Sequence, residues 1–119
     1  MIFNYIIVKF DIAGFHYYGG HCDYLKNYHR HNFNFKVTLR VTELNRQIEF
    51  IEYKNQCIKC INEMYPTYSV HRAYQGIDFS WRSCEMIINE LLNKLPNCED
   101  IFSIEVYEDN ENGAALLRN

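Results

Sequence analysis

From residue 32 to residue 42 the chain alternates without a break: Phe33, Phe35, Val37, Leu39 and Val41 are apolar, and Asn34, Lys36, Thr38, Arg40 and Thr42 are polar. Extended backbone points successive side chains to opposite sides, so this run is a strand with one face in a core and the other in water. Such a strand needs neighbours to pair with and a cover for its apolar face. The rest of the sequence supplies both.

Residues 2 to 12 place Ile6, Val8, Phe10 and Ile12 at the same period of two and predict another strand. Gly14, Gly19 and Gly20 then open a loop to about Tyr28. From about Glu52 to Met64, Tyr53, Cys57, Cys60, Ile61 and Met64 recur at helical spacing. A second helix follows the capping residue Ser83, with Ile87, Ile88, Leu91, Leu92 and Leu95 as its apolar stripe before Pro96. The polar, aromatic stretch from Tyr65 to Trp81 between the helices reads as a loop. Phe102, Ile104 and Val106 alternate as a third strand, the residues from Asn110 to Gly113 make a turn, and Ala114 to Leu117 return. The expected fold is α+β: a four-stranded antiparallel sheet with two helices on one face, in the order ββααββ.

A chain of 119 residues makes one domain, 1–119, and its 48% hydrophobic and 23% charged content excludes long disorder. With 12 basic against 15 acidic residues and no basic stripe, neither nucleic acid nor an anionic membrane is an expected partner. The opening segment MIFNYIIVKF is interrupted by Asn4 and Lys9, so neither a signal peptide nor a membrane span is expected and the location is read as cytoplasmic. An odd number of cysteines, five, argues against a disulfide framework. Aromatic residues at 16% are plentiful for so small an interior, which suggests that a partner or ligand covers some of them.

The chemistry concentrates at His29-Arg30-His31, directly before the alternating strand. Residues two apart in a strand share a face, so both imidazoles lie beside each other with the parity of Phe33 and Phe35. Two nitrogens so placed grip one metal ion when a third ligand joins them; His16 is the natural candidate and His21 the reserve. Three neutral histidines with a fourth place free describe a catalytic zinc site, against the plainer reading of two loop histidines without metal. Cys57 and Cys60 fall on the helical stripe and read as core, and Cys84 and Cys98 read as structural. Cys22, in a Gly- and His-rich loop, is either a thiolate made reactive by a nearby cation or an inert loop thiol. Glu108 continues the parity of Ile104 and Val106, and is either an inward carboxylate that anchors a ligand or an exposed strand-end Glu.

Phe10-Asp-Ile-Ala13-Gly-Phe-His16, His29-Arg-His31-Asn-Phe33, Ile48-Glu49-Phe50, Ser83-Cys-Glu85 and Val106-Tyr-Glu108 together resemble, in their order, the 6-pyruvoyl-tetrahydropterin and 6-carboxy-tetrahydropterin synthase family. The resemblance spans nearly the whole chain and implies the T-fold (tunnelling fold), whose subunits join sheet edges; a homo-oligomer, a trimer or a hexamer, follows from it. It implies zinc on His16, His29 and His31, a pterin substrate held by Glu108 with Glu85 beside it, and Cys22 and His71 as proton-transfer residues. The implied activity is a lyase that eliminates triphosphate from dihydroneopterin triphosphate. The sequence departs from the family where Val70 stands in place of the Asp before His71, and where Cys22 lies seven residues ahead of His29. A module that binds a pterin- or purine-like ligand without turnover is the alternative.

Overall fold

The structure, a computed structural model, describes residues 1–18, 27–70 and 74–119. Among these residues six strands and two α-helices follow in the order β1 (Asn4–His16), β2 (His29–Val41), α1 (Phe50–Met64), β3 (Thr67–Val70), β4 (Tyr74–Ser80), α2 (Cys84–Leu91), β5 (Ile101–Glu108) and β6 (Gly113–Leu117). The strands form one sheet in the order β3-β4-β1-β2-β5-β6. Its neighbours run antiparallel except at β1 and β4, which are parallel. The α+β class stands, but the expected four strands and ββααββ order are corrected to six strands in the order ββαββαββ.

The correction lies in residues 67–80. Among the residues described here, only Ile77 and Phe79 are buried in the core, while Thr67, Ser69, Tyr74 and Gln75 face solvent. An edge pair of this kind gains its order from backbone pairing, four residues of β3 against β4, and not from an apolar stripe that periodicity would reveal. β1 and β2 also run further than their apolar patterns, because they pair continuously from Asn4↔Val41 to His16↔His29.

The core lies on one face of the sheet. Val8, Phe10 and Ile12 of β1, Phe33 to Val41 at alternate positions of β2, and Ile104 and Val106 of β5 meet Tyr53, Cys57 and Ile61 of α1 and Ile87, Ile88 and Leu91 of α2. Each such large apolar side chain contributes about 1.5–3 kcal/mol on burial. Phe102 does not share this face as expected. The β2–β5 pairing steps from Thr38↔Ser103 to Leu39↔Ile101, a bulge that gives the core position to Ile101 and turns Phe102 to the other face, against the ring of Tyr5 at 5.0 Å. The uncovered face is polar along its middle, where Asn34 donates to Asp11 at 2.8 Å and Lys36 lies 3.5 Å from Glu105.

Both helices start on side-chain caps: Glu49 accepts from the Glu52 amide at 2.7 Å, and Ser83 accepts from the Met86 amide at 3.3 Å. The second cap fixes where β4 hands over to α2. That junction overhangs the end of β1.

Candidate metal centre

The antiparallel register sets His16 directly opposite His29, with His31 two residues along β2 on the same face. Side chains in these positions are near neighbours in any antiparallel pair. Their ring centroids lie 4.6, 4.9 and 5.2 Å apart, and one nitrogen from each falls within 4.8 Å of the others. The floor beneath them is aromatic: the Phe33 ring meets both His16 and His31 edge-on and packs against Phe79. Gly14, opposite His31 in the register, makes room for that floor, since a Cβ there would stand 2.7 Å from Phe79 and 2.8 Å from Phe33.

Each imidazole is held from behind through Nδ1. His16 Nδ1 lies 2.9 Å from the carbonyl of Arg82, His29 Nδ1 3.1 Å from the carbonyl of Asn27, and His31 Nδ1 2.6 Å from the Asp109 carboxylate. Carbonyls and carboxylates only accept, so Nδ1 carries the proton and donates in all three, which leaves the Nε2 lone pairs for a ligand. His16 is buried, and burial holds its imidazole below the ordinary histidine range against the opposing pull of the Arg82 carbonyl and the Glu108 carboxylate. A neutral ring is the form that binds a metal. Donor type, tautomer and convergence therefore fit a metal ion such as zinc held by the three histidines.

The Glu108 carboxylate stands over the same nitrogens, 3.4 Å from His16 Nε2 and 3.3 Å from His31 Nε2. Behind it the Cys84 thiol donates to Oε1 at 3.4 Å. Burial first, and then Glu108, pushes that thiol up to about 12, so it stays protonated and serves as a donor. The histidines, Glu108, Cys84 and Glu85 line one open cleft of about 360 Å³ whose rim carries exposed Tyr18 and Trp81.

The structure thus brings together His16, His29, His31, Glu108 and Glu85. Cys22, His71 and His21 lie outside the described residues. Sequence reasoning missed Asp109, the Arg82 carbonyl and the place of Cys84. Cys84 directly follows the helix cap Ser83 and reads as structural, which concealed its position at the cleft. Asp109 begins a turn, where strand parity stops reporting direction, and a backbone carbonyl leaves no mark in composition at all.

This is the fold of the 6-pyruvoyl tetrahydropterin synthases. The whole chain superposes on the enzyme from Caenorhabditis elegans over 98% of its length, with a TM-score of 0.67 and 13% identity. It matches a catalytic-residue mutant of the Plasmodium vivax enzyme over 99% of that chain, with a TM-score of 0.66 and 16% identity. An uncharacterized protein from Wolinella succinogenes is covered entirely, with a TM-score of 0.62 and 13% identity. No family model and no curated protein matches the sequence. Among the described residues no helix is long and apolar enough to cross a membrane.

Proposed function

We propose that the chain is a zinc-dependent lyase of the 6-pyruvoyl/6-carboxy-tetrahydropterin synthase kind, acting on 7,8-dihydroneopterin triphosphate. The observation that carries this reading is the set of three histidines that each bring one ring nitrogen within 4.8 Å of the others while each Nδ1 is engaged from behind. Zinc bound there supplies Lewis acidity toward the hydroxyls of the substrate's side chain. Glu108 accepts two parallel N–H bonds from the amino-pyrimidine edge of the pterin, with Glu85 at the mouth of the same cleft. Cys84 keeps Glu108 oriented without competing for the proton. Cys22 and His71 take and return protons as triphosphate leaves. Among the described residues no strand lies beyond β3 or β6 in the sheet, which supports assembly as a trimer or hexamer with the cleft rims covered by neighbouring copies.

The test loads purified protein with zinc, confirms one metal per chain by elemental analysis, and measures triphosphate release from 7,8-dihydroneopterin triphosphate. Release that falls sharply in Cys22→Ala supports the reading, and a metal-loaded protein that leaves the substrate intact overturns it. One feature favours a second reading, a module that binds a pterin- or purine-like ligand without turnover: Val70 precedes His71 where an acidic residue would support a proton-transfer histidine. Calorimetric binding of a pterin, abolished in Glu108→Ala and unaccompanied by triphosphate release, selects that reading over the first. Sedimentation as a monomer overturns the proposed assembly.

A further inference from the structure

We infer that Asp109 is a positioning residue for the metal: it fixes the orientation and the ring tautomer of His31. The inference rests on the metal reading above. The three histidines are not held alike. His16 and His29 donate to neutral carbonyls at 2.9 and 3.1 Å, whereas His31 donates to a carboxylate at 2.6 Å. A charged acceptor makes the shorter and stronger bond, and a carboxylate behind a metal-binding imidazole pushes electron density toward the opposite nitrogen.

The carboxylate is itself fixed in place. Its second oxygen accepts the Asn32 amide at 2.8 Å, so both oxygens point at β2. Its backbone amide donates to the Asn32 carbonyl at 2.8 Å, and the next amide, of Asn110, donates to the Asn34 side chain at 2.6 Å. Asn34 is tied in turn to Asp11 on β1. Asp109 and Asn110 both have positive φ, 53° and 58°, the conformation of the two central residues of a type I′ turn, and the Glu111 amide closes that turn on the Glu108 carbonyl at 2.9 Å. Asp and Asn tolerate this left-handed backbone, so a plain turn residue is the competing account of Asp109.

The two accounts separate in Asp109→Asn, which keeps the turn preference and an acceptor for the Asn32 amide but removes the charge. Zinc affinity of the full chain is measured by chelator competition at fixed pH, and unfolding of the metal-free protein by thermal melt. A positioning role predicts a roughly 10–100-fold loss of zinc affinity, the range typical of outer partners of metal ligands, with little change in the metal-free melt. The same variant loaded with cobalt should show a shifted visible spectrum, which a turn effect alone would not produce. Unchanged zinc affinity and an unchanged cobalt spectrum in Asp109→Asn, with the wild-type chain binding both ions, overturn the inference alone. A wild-type chain that binds neither ion overturns the metal reading and this inference with it.

Discussion

The central β1–β2 pair carries the histidines, and the strands on either side of it support them in different ways. On one side, β5 and β6 bring side chains: Glu108 at the strand end and Asp109 in the turn, with a turn bonded to β2 through Asn32 and Asn34. On the other side, β4 meets β1 at three residue pairs among the described residues, and beyond the Phe79 ring under the floor the support from this side is one backbone carbonyl, that of Arg82, set by the junction into α2. The β5–β6 side therefore controls charge and the β4 side controls shape. Substitution can retune the first residue by residue; the second answers mainly to changes in backbone path.

His31→Ala should show the largest effect, since it removes a ligand as well as the contact with Asp109. Zinc affinity should fall further than the ~10–100-fold expected for loss of an outer partner. Zinc retained by His31→Ala at wild-type affinity in chelator competition would break the assignment of the site.

Next come two glycines, one on each side. A Cβ on Gly113, at the start of β6, would stand 1.9 Å from the Val106 carbonyl oxygen, and one on Gly76 in β4 would stand 2.8 Å from that of Ala13. Both obstacles are backbone. Gly113→Ala should destabilise the fold by about 3 kcal/mol and Gly76→Ala by about 1–2 kcal/mol, across the range for overpacked sites. Urea unfolding of both variants tests this, and equal costs would remove the proposed difference in how firmly the two sides are knit.

Ser83→Ala loosens the cap that sets the β4–α2 junction and should cost about 1 kcal/mol by thermal unfolding. If the junction controls shape, zinc affinity should also drop; a stability loss with unchanged zinc affinity would detach the Arg82 carbonyl from the site.

The smallest effect at neutral pH belongs to Cys57, whose thiol burial pushes up to about 12. A raised thiol pKa means that the unfolded chain ionises first as pH climbs past the ordinary thiol range near ~8.5. Stability should thus be unaffected at pH 7 and decline from about pH 9 upward, and Cys57→Ala should decline less steeply in thermal melts across that range. A decline of the same slope in both proteins would place the alkaline sensitivity elsewhere.

How much of this was legible in the sequence follows from what each element depends on. β2 and the His29–His31 pair were plain because a half-buried strand writes its direction into every second residue. His16 could be named as the third histidine of the cluster from the end of β1, although the register that sets it opposite His29 is a pairing that only the structure reveals. β3 and β4 were hidden because too few of their side chains enter the core. Phe102 was misplaced because a bulge shifts parity without altering composition. Asp109 escaped because the turn that aims it obeys backbone dihedrals and not hydrophobic pattern, and the same holds for the carbonyl of Arg82.

Glu108 and Asp109 are adjacent, and on a continuing strand they would point to opposite faces. Both nonetheless reach His31, one at each ring nitrogen, because the chain enters the left-handed conformation between them. The length of that turn is consequently a chemical parameter. An insertion of one residue after Glu108 would leave both strands in the sheet and both acids in the sequence, yet withdraw the outer partner of the imidazole; turn length at this point is therefore constrained as tightly as residue identity.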